Sequence, residues 1–184
     1  MPEGPLVLLS VALGFALAAA ALLTLRRSGT VAAASRELTA SRRALREFSA
    51  RADADIGPIL ARIDGVRRRI LEPAAISDEL RAARSRIDER IEEGRALAVV
   101  PSHQSARAAI RGELERAARA LDMVEYGSSI LGQARGRGRE LEAQTAIKRG
   151  YLNLLHAREA ISRHAAEAGT RAGDARRDFG RAAD

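Results

Sequence analysis

The sequence contains no cysteine and no tryptophan, and aromatic residues make up only 3% of its 184 positions. Without cysteine there can be no disulfide, thiolate metal site, iron–sulfur cluster or thiol nucleophile. The shortage of aromatic residues argues against a β-sandwich or an α/β enzyme core, because strands favour aromatic and β-branched side chains. Alanine fills 39 positions, and alanine is the best helix former. The composition therefore predicts an all-α protein.

One uncharged apolar segment covers residues 5–25, beginning at Pro5 and ending at Leu25, and is followed at once by Arg26 and Arg27. As a helix it would span roughly 30 Å, the thickness of the hydrocarbon core of a bilayer. A cleaved signal peptide is the alternative interpretation. The residues before the segment include Glu3 and no basic residue, and the segment is longer than the apolar core of most signal peptides. We therefore predict an uncleaved, single transmembrane helix.

The orientation of this anchor follows from its flanks, since basic residues favour the cytoplasmic side. None precedes the segment, whereas several follow it: Arg26, Arg27, Arg36, Arg42 and Arg43. The sequence thus predicts a single-pass protein of a bacterial inner membrane with a cytoplasmic C-terminal region.

Small residues recur at four-residue steps within the anchor, at Ser10, Gly14 and Ala18. Such a stripe lets two membrane helices approach closely, which makes a homo-oligomer one interpretation. The other interpretation is that the stripe arises by chance from the ordinary alanine and glycine content of this chain.

Four later segments place apolar residues at steps of three and four, the spacing of one helix face. A kink or break is expected at Gly57-Pro58 and a helix end at Glu72-Pro73, while Ser77 is expected to cap the second helix. The first segment carries Leu45, Phe48, Ala52, Ile56, Ile59, Ile63, Val66 and Ile70. The second carries Ile76, Leu80, Ala83, Ile87 and Ile91.

The third segment is the most regular, and the glycine–arginine alternation at 135–139 should separate it from the fourth. The third carries Ile110, Leu114, Ala117, Leu121, Val124, Ser128 and Leu131, and the fourth carries Leu141, Ile147, Tyr151, Leu154 and Ile161. We predict an anchor at 1–27, a juxtamembrane amphipathic helix at 28–73, a helical bundle or coiled-coil-like domain at 74–168, and a frayed or disordered tail at 169–184.

No catalytic, cofactor-binding or metal-binding residues emerge from the sequence. Gly127 and Gly132 have the spacing of a phosphate loop, but Gln133 follows where that loop requires lysine. The three histidines, His103, His156 and His164, lack the glutamate spacing of a di-iron bundle and are interpreted as surface residues. We therefore expect no enzymatic activity.

Polar residues of several types interrupt the alanine–arginine pattern between 140 and 159. Gln144, Lys148 and Tyr151 follow one another at steps of four and three and so share one helix face. One interpretation is a docking face for a partner protein. The other interpretation is a helix that turns Tyr151 toward the core, with its polar neighbours flanking the buried apolar residues.

The layout of one anchor with a basic flank, followed by successive cytoplasmic helices, resembles that of bacterial membrane-anchored septation regulators built from spectrin-like bundles. The resemblance is one of architecture, and it is the residues that favour a scaffold or protein-interaction module that contacts the lipid bilayer and protein partners. One alternative is a helical module that binds anionic lipid or nucleic acid, and a second is a ligand-sensing bundle. The absence of an aromatic cluster argues against nucleic acid.

Overall fold

A computed structural model describes residues 4–133 and 137–181, and it describes side chains over 33–132 and 138–170. Within these ranges the chain forms four α-helices and no strand, which confirms the all-α prediction. The helices are α1 (Gly4–Arg67), α2 (Ser77–Ala96), α3 (Gln104–Gln133) and α4 (Arg137–Arg181), with short 3₁₀ helices at Pro73–Ile76 and Pro101–His103.

The chain divides into two compact units, Met1–Ala40 and Ser41–Asp184. The first is the beginning of α1. The second is a helical bundle, and it includes residues 41–67 of α1, which the sequence analysis placed in the juxtamembrane helix 28–73. Side chains beyond residue 170 lie outside those described, and the predicted tail at 169–184 falls almost wholly there.

Ion pairs between neighbouring helices define the order of the bundle. Arg51 pairs with Glu93 and Arg62 with Glu79, so residue numbers rise along α1 as they fall along α2, and the two helices are antiparallel. The same holds for α3 and α4, where Gly127 lies against Ala143 and Gly150 against Ala120. Arginine–carboxylate pairs join α1 to α2 (Arg62 to Glu79, 2.8 Å), α2 to α3 (Arg84 to Asp122, 3.0 Å) and α4 to α1 (Arg158 to Asp53). The bundle thus has one end near Ser41 and another near Arg67, which we call the Ser41 end and the Arg67 end.

The core consists largely of the inward-facing apolar residues predicted for the four segments, which we call the seams. All of the inward positions predicted for the second segment are buried, and so are those of the third except Leu131, which is partly buried against the core. Phe48, Leu114 and Leu121 are among the largest fully buried side chains. Burial of these narrow faces against one another stabilises the fold, since short helices gain most of their stability from packing.

Of the kink or break predicted at Gly57-Pro58, a break is excluded, because α1 continues through Pro58 to Arg67. An internal proline removes a backbone hydrogen bond and costs about 3 kcal/mol. Ile56 and Ile59 on either side of the pair are both buried in the core. Packing of this segment therefore outweighs the local preference for a break.

The end of α1 also differs from the prediction. Arg69 has a positive φ of 61°, and the Ile70 N–H donates to the Gly65 carbonyl while the Arg69 N–H donates to Val66. These are the two hydrogen bonds of a Schellman motif. The motif ends the helix before Glu72 and turns Ile70 outward, so that it is 73% exposed rather than part of the seam.

Replacing the residue at the positive φ tests this turn. Because the left-handed conformation costs a non-glycine residue about 1 kcal/mol, Arg69→Gly should raise the free energy of unfolding by about 0.5–1 kcal/mol. The measurement is denaturant unfolding followed by circular dichroism. Arg68→Gly, one residue earlier and without a positive φ, is the matched control and should lower stability instead. Equal effects of the two changes would contradict the motif.

Two further expectations are corrected at helix starts. Ser77 makes no side-chain capping bond, because the 3₁₀ helix leads directly into α2 and Ile76 occupies the N-cap position. Leu141 is 67% exposed, since α4 buries a stripe composed largely of smaller residues. That buried stripe consists of Ala143, Ile147, Gly150, Leu154, Ala157, Ile161, Ala165 and Ala168.

Among the described residues, no helix combines the length and the apolar character needed to cross a bilayer. The side chains of the predicted span from Pro5 to Leu25 lie outside those described, as do the flanking Arg26 and Arg27. The same holds for the predicted dimer stripe of Ser10, Gly14 and Ala18.

Candidate interaction surface

The predicted partner residues Gln144, Lys148 and Tyr151 lie on the side of α4 that borders α1. The Gln144 Nε2 donates to Glu140 Oε1 at 2.8 Å. Tyr151 is partly buried against the core, and the Arg67 guanidinium lies over its ring, 4.8 Å from the centroid. Lys148 is exposed. Tyr151 is thus held between the two helices, while Lys148 remains open to solvent.

Two exposed leucines extend this surface along the helix. Leu141 is 67% exposed and Leu152 is 39% exposed. They are eleven positions apart, about three turns, and Lys148 lies between them on the same side of α4. We call Leu141, Gln144, Lys148, Tyr151 and Leu152 the α4 outer face. Neither leucine is predicted to be exposed from the sequence, because Leu141 belongs to the apolar stripe of the fourth segment and Leu152 belongs to none.

The α4 outer face continues across the Arg67 end of the bundle. The Arg69 Nη2 lies 3.3 Å from Glu140 Oε1, which places exposed Ile70 beside the start of α4. On the other side, the Tyr126 hydroxyl donates to Glu142 Oε1 at 3.1 Å, and this bond raises the pKa of Tyr126. Ile70 and Tyr126 are 73% and 55% exposed. Ile70, Leu141 and Tyr126 thus lie near the Arg67 end of the bundle on three different elements, which makes this end a candidate contact surface.

The described side chains offer less for binding small ligands. They contain no group of three histidine, aspartate or glutamate residues placed to hold a metal ion. A groove between α2 and α3 is lined in part by Asp88, Glu92 and Glu115, but Ile91 is its one buried lining residue. A ligand pocket normally encloses most of its ligand with apolar walls, and this groove does not.

A buried polar pair lies at the Ser41 end, and it corrects the interpretation of His103 as a surface residue. His103 is 2% exposed and its Nδ1 lies 2.8 Å from the Ser41 Oγ, which also accepts a hydrogen bond from the Val100 N–H at 3.3 Å. Its Nε2 is buried without a hydrogen-bond partner, although the Ala168 carbonyl lies close enough to affect the ring. The pair joins α1 to the 3₁₀ helix before α3.

His156 is exposed and His164 is partly exposed, with its Nδ1 3.9 Å from Glu167.

Burial lowers the pKa of His103, the positive charge of Arg42 lowers it further, and the Ala168 carbonyl partly offsets both. The folded protein therefore favours neutral imidazole. An unfolded histidine takes up a proton near pH 6.5, so the free energy of unfolding should fall as the pH drops below that value.

The pH dependence can be checked by denaturant unfolding at about pH 5 and about pH 7.5. His103→Gln, which cannot titrate, should reduce the loss of stability at the lower pH. Ser41→Ala removes the hydrogen bond but keeps the imidazole, so it should lower stability at both pH values and retain the loss at low pH. A His103→Gln variant with the full wild-type loss would contradict this assignment.

Comparison with known proteins gives no relative from which a function could be transferred, as no family model, curated protein or solved structure matches the chain. The functional argument therefore depends on the residues described above.

Proposed function

We propose that this chain is a single-pass membrane protein whose helical bundle serves as a scaffold or protein-interaction module at the cytoplasmic face of a bacterial inner membrane. The α4 outer face is the observation that carries the interaction half of the proposal. In a bundle whose seams are buried, it leaves two leucines and a lysine exposed on one side of a single helix. The uncharged segment 5–25 and its arginine flank support the tether.

Tethering gives weak contacts a physical advantage. Confinement to a membrane raises the effective concentration of copies and partners, so that a face with few apolar residues can assemble complexes there that would dissociate in solution. We therefore propose that the activity is binding rather than turnover and that it requires the anchor.

Site-specific photocrosslinking in intact cells tests the interaction half. A crosslinker at Lys148 should capture a defined protein, and one at exposed Arg119 on α3 should not. Loss of the crosslink after deletion of residues 1–27, with the unfolding midpoint of the helical bundle unchanged, would support the tether. Equal crosslinking from both positions would overturn the assignment of the α4 outer face.

Topology and the absence of catalysis need separate tests. Protease added to intact spheroplasts should leave residues 28–184 uncut, and their digestion would overturn the cytoplasmic orientation. Replacement of His156, Glu159 and His164 by alanine should leave function intact. Loss of function in this triple variant, while it remains folded, would favour an enzyme or the ligand-sensing alternative.

Anionic lipid is the second candidate partner, because Arg139, Lys148 and Arg149 are exposed along the first turns of α4. Binding of the chain to acidic but not neutral vesicles, with steep salt dependence, would favour that alternative.

A further inference from the structure

The exposed leucines of the α4 outer face have the spacing of a helix-binding surface. Leu141, Lys148 and Leu152 follow one another at steps of seven and four, the spacing at which one helix presents contacts to a second helix packed along it. A helical partner of three to four turns would reach both leucines. An extended peptide would not present its side chains at this spacing. It could not form backbone hydrogen bonds with α4 either, because the backbone groups of a helix are already paired.

The charges around the leucines favour an acidic partner. Lys148 and Arg149, four and three positions before Leu152, are exposed, and neither forms an ion pair with a described carboxylate. The nearby carboxylates already have partners in the bundle, since Glu140 bonds to Arg69 and Gln144 while Glu142 accepts from Tyr126. The cations beside the two leucines are therefore available to carboxylates from outside.

Other occupants fit this face less well. Nucleic acid binding by stacking uses several aromatic rings, but Tyr151, whose ring lies under Arg67, is the one aromatic residue of the α4 outer face. An anionic membrane presents negative charge over its whole surface, so it would meet exposed Glu142 and Glu159 as well as Lys148 and Arg149, whereas a helix can place its carboxylates at the two cations alone. A second copy pairing α4 with α4 would bring Lys148 and Arg149 of the two chains together, which disfavours self-association through this face.

We infer that the α4 outer face binds an acidic amphipathic helix of a partner protein. Leu141 and Leu152 contact apolar side chains of that helix, and Lys148 and Arg149 pair with its carboxylates. This inference rests on the proposed interaction function and adds the chemistry of the partner to it.

The test uses the full chain in detergent micelles and two synthetic helical peptides of about 20 residues, long enough to be partly helical alone. Both peptides carry the same leucine pattern, one with glutamate and the other with lysine at the flanking positions. Fluorescence anisotropy should show at least tenfold tighter binding of the acidic peptide, and the difference should shrink as salt rises from about 50 to about 300 mM.

Variants separate the charge and apolar contributions. Lys148→Glu with Arg149→Glu should reverse the preference, so that the basic peptide binds more tightly. Leu141→Gln with Leu152→Gln should weaken the acidic peptide at least tenfold while circular dichroism remains unchanged. Arg119→Glu, a single charge reversal at an exposed position on α3, should leave the preference unaltered.

Four results would overturn the inference. Equal binding of the two peptides, or of neither, would show that the face does not select acidic helices. Loss of self-association in the leucine variant, measured by analytical ultracentrifugation, would assign the face to a second copy. Binding to acidic vesicles that the charge reversal abolishes would assign it to lipid. If crosslinking from Lys148 captures a protein that offers no acidic helix, this inference fails while the proposed function stands.

Discussion

Replacing Gly127 and Gly150 together by alanine should lower the free energy of unfolding by about 2–6 kcal/mol, since overpacking costs about 1–3 kcal/mol at each site. A Cβ at Gly127 would lie 2.7 Å from the Ala143 carbonyl oxygen, and one at Gly150 would lie 2.7 Å from the Ala120 carbonyl oxygen. Both obstacles are backbone atoms. The α3 and α4 backbones would therefore have to separate, because no side-chain rotation could relieve the contact.

The control for this double variant is Gly112→Ala. A Cβ at Gly112 would meet no other atom within 4 Å. With no steric cost, the better helix propensity of alanine should raise stability by up to about 1 kcal/mol. Opposite signs in denaturant unfolding would establish the close approach of α3 and α4. A stabilising effect of the double variant would refute it, since helix propensity alone predicts that result at all three glycines.

The same glycines show why the sequence predicts some seams better than others. Large apolar residues at steps of three and four identify the inward faces of α2 and α3, because burying them dominates the energetics of a helix face. In α4 the inward stripe depends on Ala143 and Gly150, which bury little surface and carry no periodic signal of their own. Leu141 lies off that stripe, and its size alone suggested burial.

The limits of helix α1 show a second kind of failure. Local preferences indicate a kink or break at Pro58 and a helix end at Pro73. Helix α1 instead continues through Pro58 and ends at Arg67, before Pro73. Core packing outweighs the cost of the proline. The end of α1 is set by the turn at Arg69, and because this residue is not glycine, the sequence gives no sign of its positive φ. Neither outcome follows from local sequence, because each depends on contacts made only in the folded bundle.

Functional residues differ in how far the sequence could reveal them. Gln144, Lys148 and Tyr151 are neighbours on one helix, so their spacing alone places them together. Ser41 and His103 are 62 positions apart, and their contact exists only because α1 and the 3₁₀ helix before α3 meet at one end of the bundle. No pattern within either segment identifies the pair.

Arginine supplies nearly all of the positive charge, and the bundle uses much of it between helices. Arg51, Arg62, Arg84, Arg90 and Arg158 each pair with a carboxylate on a neighbouring helix. Such partly exposed pairs add little net stability but favour one alignment of the helices over others. The single lysine of the chain, Lys148, takes no part in this pairing and lies on the α4 outer face. The interaction surface thus differs from the rest of the bundle in its chemistry as well as its exposure.

Leu121→Ala should lower the free energy of unfolding by about 2–5 kcal/mol, whereas Arg119→Ala should change it by well under 1 kcal/mol. Leu121 is 1% exposed in the middle of α3, and truncation leaves a cavity that the rigid neighbours cannot fill. Arg119, two positions earlier, is exposed and forms no ion pair with a described carboxylate. Denaturant unfolding of the two variants compares the two faces of α3 directly. Equal losses would mean that α3 turns a different face to the core. Because the same packing sets the exposure of the α4 outer face, the assignment of that face would then also be wrong.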